Sequence, residues 1–176
     1  GAGDIMYRDL NGDGKITSGV TLNDPGDRKI IGNSSPRFKF GLDLNASWKG
    51  FDARLFFQGV AKRDAWLGDN MFWGATGDIW QSACFTPHLD FFREGDDFWS
   101  PNTNAYFPRP LSVNYAKNQQ AQTRYLQNAA YVRLKNLQIG YTIPARITSK
   151  MGISNLRIFF SGENLFTLTG LPQGFD

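Results

Sequence analysis

Sulfur and imidazole ligands are almost absent from this sequence, which holds one cysteine, Cys84, and one histidine, His88, among 176 residues. A single cysteine excludes an internal disulfide and the zinc sites built from paired cysteines. A lone histidine with no serine or cysteine in a recognisable arrangement does not predict a catalytic triad. Long apolar runs are also missing, because no stretch approaches about 18 apolar residues. No transmembrane helix is predicted, which leaves crossing by strands open.

Clustered charge is lacking as well. The 19 basic and 16 acidic residues give a net charge of +3 and are spread along the chain. Without a run of Lys and Arg, we predict no nucleic-acid partner. One loop holds an acidic group of the residue type that cuts glycosidic bonds, Asp90, Glu94, Asp96 and Asp97. Because acidic residues in a loop are usually just solvated, we predict that the chain is not an enzyme.

Aromatic residues and glycine are abundant. Aromatics make up 15% of the chain and glycine counts 19, whereas hydrophobic residues of all kinds reach 41%. This mixture favours β-structure with long loops. From Phe38 to Trp48, every even position is apolar and every odd position is polar or glycine. Because side chains alternate faces along a strand, this segment is predicted to be a strand with one apolar face.

Three more segments alternate in the same way. A second strand is predicted at about 51–60, after the two-residue turn Lys49-Gly50, so that the first two strands form a hairpin. A third is predicted at about 129–142, with a bulge where its apolar set changes phase between Leu134 and Leu137. A fourth is predicted at about 156–166. The connections alternate in length: two residues, then about sixty, then about a dozen.

This order of connections is typical of an outer-membrane barrel, which has short periplasmic turns and long extracellular loops. Trp48, Phe51 and Tyr141 lie beside the short turns, where an aromatic girdle would sit at one membrane interface. A soluble antiparallel sandwich would give the same alternation. The strand pattern alone does not decide between a membrane barrel, whose apolar face meets lipid, and a soluble sandwich, whose apolar face is buried.

Several short motifs occur along the chain in the order found in one protein family. They lie at 3–16 (GDIMYRDLNGDGKI), 27–33 (DRKIIGN), 40–44 (FGLDL), 49–52 (KGFD), 56–59 (FFQG), 131–137 (YVRLKNL), 140–141 (GY) and 161–166 (SGENLF). On these motifs, the chain resembles the C-terminal third of the SusC/RagA-type TonB-linked outer-membrane proteins of Bacteroidetes-type bacteria.

The resemblance implies an all-β fold made of antiparallel strands from the C-terminal portion of a transmembrane β-barrel. It implies an importer of glycans or peptides in the outer membrane of a Gram-negative bacterium, in contact with membrane lipid and working with a SusD-like surface lipoprotein. The corresponding divisions are an extracellular loop (1–36), a β-hairpin (37–60), a long aromatic-rich extracellular loop (61–122), two further barrel strands (123–167) and the start of a truncated loop (168–176).

Two departures from the family pattern bear on function. The segment between Ile16 and Asp27 is longer than the few residues usual there, which predicts an insertion. The plug, the TonB box and the closing strands of the family are missing. We therefore expect a piece of a larger protein, whose contact with TonB is made by the absent N-terminal part.

The N-terminal loop matches the first half of an EF-hand-like calcium loop. Oxygen ligands are expected from four residues: Asp9, Asn11, Asp13 and, through its backbone carbonyl, Lys15. Gly14 provides the sharp turn that such a loop requires. This set of hard oxygen donors predicts a Ca²⁺ ion that would order an extracellular loop.

The last calcium ligand is not where the EF-hand pattern requires it. A bidentate carboxylate is expected at position 12 of the loop, and Val20 occupies that position. The resemblance assigns the role to Asp27, and Asp24 is a second candidate within the insertion. A cluster of Asx turns that holds the loop without metal is the alternative.

The long loop is the candidate ligand site. Aromatic faces stack on sugar rings, and amide side chains hydrogen-bond hydroxyl groups. The candidates with this chemistry are Trp73, Trp80, Trp99, Asn102, Asn104 and Tyr106. The alternative is that these rings pack loop against loop or against the lipoprotein.

Two functions from different classes follow. The first is part of a TonB-dependent importer of oligosaccharides or peptides, as the resemblance implies. The second is a secreted calcium-dependent carbohydrate-binding β-sandwich. The loop aromatics suit oligosaccharides and apolar peptides equally.

Overall fold

The computed structural model describes residues 1–74, 84–95 and 100–175. The chain forms two compact units: one comprises Gly1–Ile31 and Trp66–Leu126, the other Gly32–Ala65 and Gln127–Asp176. No helix within the described residues combines the length and the apolar character needed to span a membrane.

Strands dominate the secondary structure. In chain order they are β1 (Lys39–Trp48), β2 (Phe51–Val60), β3 (Asp64–Trp66), β4 (Leu126–Asn128), β5 (Tyr131–Ile143) and β6 (Leu156–Thr169). Two single-turn helices accompany them, α1 (Asn70–Trp73) and α2 (Ala145–Thr148), with 3₁₀ turns at Thr86–Leu89, Tyr115–Asn118 and Ser149–Met151. The long strands form one antiparallel sheet in the order β1-β2-β5-β6, and β3 pairs with β4.

The four strands predicted from the alternation are confirmed, and β6 runs three residues past the predicted end, to Thr169. Lys49 and Gly50 have φ values of 47° and 89°, the positive-φ pair that closes a two-residue hairpin in keeping with strand twist. The predicted bulge is confirmed by a register shift in β5 between Leu134 and Asn136. Lys135 is the extra residue in the pairing with β2, where Phe56 and Phe57 pair with Asn136 and Leu134. In the pairing with β6, Asn164 and Leu165 both lie opposite Lys135, whose Nζ donates to Asn164 Oδ1 at 3.1 Å.

The register places most of the apolar side chains of the four long strands on one face of the sheet. This apolar face is open to solvent in the isolated chain: the following side chains are 41–70% exposed, Phe40, Leu42, Leu44, Trp48, Phe51, Ile139, Ile158, Phe160, Phe166 and Leu168. The opposite, polar face carries mainly charged and amide side chains: Lys39, Asp43, Asn45, Asp52, Arg54, Gln58, Arg133, Asn136, Gln138, Arg157 and Glu163.

Two bidentate ion pairs cross the polar face. Arg54 donates to both carboxylate oxygens of Asp43, at 2.6 and 3.1 Å. Arg157 of β6 reaches over the whole width of β5 to Asp52 of β2, with bonds of 2.5 and 3.0 Å. The strand between them has Gly140 at this point, and a Cβ there would collide with the Arg157 guanidinium. Glycine is therefore required for the long reach.

The first unit has an aromatic core. Phe72, Trp73, Phe107 and Tyr125 are buried, and the Trp73 and Tyr125 rings meet edge to face at 4.9 Å. The buried His88 joins this core: its Nδ1 accepts the N–H of Phe85 at 3.0 Å, and its Nε2 lies 3.0 Å from the Phe72 carbonyl. The two contacts require a neutral ring with its proton on Nε2.

The glycine beneath the Arg157–Asp52 pair gives a test of the sheet. We expect Gly140→Ala to lower the free energy of unfolding by about 1–3 kcal/mol, because the added methyl displaces the guanidinium. In an Arg157→Gln background, the same change should cost much less, since the group it strikes is gone. Unfolding in detergent of the four members of this double-mutant cycle measures the coupling. Equal costs in both backgrounds would contradict the account.

Candidate functional site

The predicted calcium loop is a series of side-chain-to-backbone turns. Asp9 accepts the N–H groups of Gly12 and Gly14, at 2.6 and 2.9 Å. Asn11 Oδ1 accepts the N–H of Asp13 at 3.0 Å, and Asp13 Oδ1 accepts that of Lys15 at 2.8 Å. These are Asx turns, which fix the loop backbone without help from another segment.

Asp27 closes the loop from a distance in sequence. Its two carboxylate oxygens accept the N–H groups of Leu10 and Thr17, both at 2.7 Å, and its own N–H donates to the Thr17 carbonyl at 2.9 Å. The bonds from Thr17 and then Leu10 lower the pKa of the Asp27 carboxyl below its usual value. Asp24 takes another position: its backbone closes the tip of the insertion by bonds with Val20 and Thr21.

The fit to a metal is mixed. The structure brings the Asp27 carboxylate to the Asp9 loop, so that oxygen ligands from both could face one cation. Within residues 1–74, 84–95 and 100–175, however, no three His, Cys, Asp or Glu side chains group closely enough to hold an ion. The Asx turns of the alternative are present, and calcium stays a prediction.

The residues predicted to contact ligand do not share one environment. Trp73 is 1% exposed and packs in the aromatic core, so for this residue the structure favours the packing alternative. Trp80 and Trp99 lie outside the described residues. Asp90 holds two others together: one oxygen accepts Asn102 Nδ2 at 2.8 Å, and the other accepts the Tyr106 N–H at 3.2 Å.

A cleft of about 480 Å³ opens beside Tyr106 in the first unit. Arg124 and Tyr125 line it and also hold its wall, because Arg124 donates to the Ala105 carbonyl at 2.6 Å and the Tyr125 hydroxyl donates to the Tyr106 carbonyl at 2.7 Å. Burial raises the pKa of Tyr125 to about 12, so this hydroxyl remains a donor at neutral pH. Tyr106 is 36% exposed at the cleft. Its ring can stack on a ligand. Asn104, two residues earlier in the chain, is also exposed.

Sequence reasoning missed the anchor of this cleft. Asp4 accepts Lys117 Nζ at 2.6 Å and Asn118 Nδ2 at 3.2 Å, and the Lys117 bond in particular holds the pKa of Asp4 well below its usual range. These bonds fasten the N-terminal segment to the 3₁₀ turn at Tyr115–Asn118. The partners are 113 and 114 positions apart. No pattern of spacing could have paired them.

Comparison with known sequences gives consistent relatives, although no protein-family model matches the chain. It is 33% identical over 171 residues to TonB-dependent receptor P3 of Formosa agariphila, covering 97% of this chain and 15% of that protein. TonB-dependent receptors P39 and P26 of the same organism are 28% and 26% identical over 99% and 93% of the chain. The chain thus spans about 15% of the length of the curated relatives it matches.

Solved structures show the same fold. The structure of the RagAB peptide transporter aligns with a TM-score of 0.60 at 22% identity, over 89% of this chain and 17% of that one. The RagAB peptide importer in its closed-closed state aligns with a TM-score of 0.58 at 24% identity, over 87% of this chain and 16% of that one.

The bonds from Leu10 and Thr17 to the Asp27 carboxylate, here called the Asp27 clamp, should depend on pH. The pKa of Asp27 is lowered in the folded chain, so the stability that the clamp contributes is fully present above the ordinary aspartate pKa of about 4. That stability is lost as the pH falls through the lower pKa of the folded state. Asp27→Ala should remove both acceptors at neutral pH and speed amide exchange at Leu10 and Thr17. Asp24→Ala is the matched control and should leave both amides unchanged. Unaltered exchange in Asp27→Ala would refute the clamp.

Calcium is tested separately. If the loop binds the ion, Ca²⁺ should raise the melting temperature of the chain by mass action, and Asp9→Ala with Asp13→Ala should abolish that rise. Thermal scans with and without Ca²⁺, with Mg²⁺ as the ionic control, measure it. An equal rise in the double variant would place any bound calcium elsewhere.

Proposed function

This chain is related to the TonB-dependent receptors of the SusC/RagA type, and from that relationship we propose that it forms part of the wall and outer loops of an outer-membrane importer. The imported ligand is an oligosaccharide or a peptide. The matched region is a small share of the relatives' length, so the transport activity belongs to the larger assembly.

The observation that carries this proposal is the exposed apolar face of the sheet. Side chains such as Leu42, Ile158 and Phe160 are 49–62% exposed although they form one continuous surface across four strands. Soluble proteins rarely leave so large an apolar patch open. Lipid would cover it at no cost, whereas the ion-paired face opposite would meet water in a barrel lumen.

The connections support an orientation in the membrane. The Lys49-Gly50 turn and the β5–β6 connection lie at one end of the sheet, since Gly50 O accepts the Thr142 N–H at 2.8 Å. Phe51 and Tyr141 stack there, with ring centroids 4.4 Å apart, beside the 70% exposed Trp48. Aromatic residues concentrate at membrane interfaces. We assign this end to the periplasmic side and the long connection to the outside.

The segments of the first unit, Gly1–Ile31 and Trp66–Leu126, would then belong to the extracellular loops. There they could contact both the ligand and a SusD-like surface lipoprotein, while TonB would act on parts of the protein beyond this chain. The alternative of a carbohydrate-binding sandwich needs a second sheet on the apolar face. The exposure of that face in the described chain argues against it.

Matched charge substitutions on the two faces test membrane insertion. In the full-length protein that carries this chain, Leu44→Arg and Phe160→Arg should each prevent outer-membrane assembly, since arginine facing mid-membrane lipid costs about 2–4 kcal/mol. The neighbouring polar-face changes Asn45→Arg and Ser161→Arg should be tolerated. Recovery in the outer-membrane fraction and heat-modifiable gel migration report assembly. Equal tolerance of both sets would overturn the barrel assignment.

A further inference from the structure

The polar face of the four-stranded sheet holds a second cleft, of about 490 Å³, at the end away from the short turns. It lies where β1 begins and β2 ends, close to Lys39 and Val60, which are register partners. All of its lining residues belong to the second unit. It is therefore separate from the aromatic cleft beside Tyr106.

The charged groups lining this cleft are all cations. Lys39 and Arg63 line it, and none of the Asp or Glu residues that the structure describes does. Arg63 Nε donates to the Ser34 carbonyl at 3.0 Å, which fixes the start of the guanidinium. Throughout the described part of the chain, neither Lys39 Nζ nor the terminal nitrogens of Arg63 make a hydrogen bond or ion pair.

Among residues 1–74, 84–95 and 100–175, no carboxylate forms an ion pair with Lys39 or Arg63. Asp43, four residues along β1 from Lys39 and on the same face, is already bound at both oxygens by Arg54. A third positive charge lies close by on the same face, because Arg133 is the register partner of the lining residue Gln58. Arg133 Nε donates to the Thr167 hydroxyl at 2.8 Å. The end of the face nearest the long connection is thus net positive.

The rest of the lining offers apolar contact and hydrogen bonding. The Phe56 ring lies over Gly41, where an added Cβ would stand 3.3 Å from it, so the floor combines a ring with a residue that has no side chain. Tyr131 lines one side of the cleft, and the Arg133 guanidinium lies over its ring, 5.6 Å from the ring centroid. Gln58 supplies an amide.

We propose that this cleft binds a carboxylate of the imported ligand, with an adjoining apolar surface of that ligand placed against Phe56. This deepens, and rests on, the proposed importer function, in which the cleft stands at the outer mouth of the lumen. Two cations line this cavity, Lys39 and Arg63, and among the described residues neither Lys39 Nζ nor the terminal nitrogens of Arg63 have a partner. This favours an anion, because charge-assisted bonds from Lys and Arg to carboxylate are strong. The ligand class is an acidic oligosaccharide or an acidic peptide.

Two pairs of probes separate these sources. Tetragalacturonate is compared with the neutral galactose tetramer, and tetraglutamate with tetraglutamine, by calorimetry on the full-length protein in detergent. We expect one acidic probe to bind at least about tenfold more tightly than its neutral counterpart, and more weakly as salt rises. The acidic probe that binds identifies the ligand as glycan or peptide.

Charge-matched variants locate the site. Lys39→Gln with Arg63→Gln should reduce acidic-probe affinity at least about tenfold, to that of the neutral probe. Arg146→Gln with Lys150→Gln removes the same charge from the short-turn end and should leave the affinity unchanged. Equal loss in both variants, no loss in the first, or no acidic binding by protein that assembles normally in the outer membrane would each overturn the inference. Because assembly is scored independently, such failure is distinct from failure of the importer assignment.

Discussion

The register of the four long strands is the constraint on which the rest of the structure depends. Because the side-chain period of a strand is two, a slip of one residue would move every apolar side chain onto the charged face. Two local features fix the register. The Lys49-Gly50 turn sets β1 against β2. Lys135 is the extra residue of β5 against β2, and it bonds to Asn164 of β6, where two residues lie opposite it. Each resets the pairing at a defined point.

Glycine lets the two faces carry large side chains at close quarters. On the polar face Gly140 leaves room for Arg157 to reach Asp52, and on the apolar face Gly59 lies beneath the Phe40 ring. In both cases a large side chain on one strand fits because the neighbouring strand has a glycine, with no side chain, at that point. A sheet built this way can join three strands by one ion pair while keeping an uninterrupted apolar surface behind it.

The strands of the sheet could be predicted from the sequence because strand pairing leaves a pattern among residues close together in the chain. Alternation located β1 and β2, and a change of phase located the bulge at Lys135. Family resemblance added Asp27, which the structure does bring to the Asp9 loop. The aromatic core of the first unit leaves no such pattern. Whether Trp73 faces a ligand or the core depends on its contacts with Phe107 and Tyr125, which lie far along the chain from it, and composition does not reveal such contacts.

The polar face is not uniform along its length, and the difference has a physical consequence. Asp52, near the short turns, and Asp43, in the middle of β1, are each bound by an arginine, so that this part of the face is close to neutral at long range. At the other end Lys39 and Arg63 have no such partner among the described residues, and the potential there is positive. An anionic solute entering from the long-connection side would meet the attractive end first. Farther along it would meet paired charges that offer fewer strong sites. If the chain forms part of an importer, as proposed above, binding that is strong at this end of the sheet and weaker beyond it would favour capture of an anionic ligand followed by its release farther along.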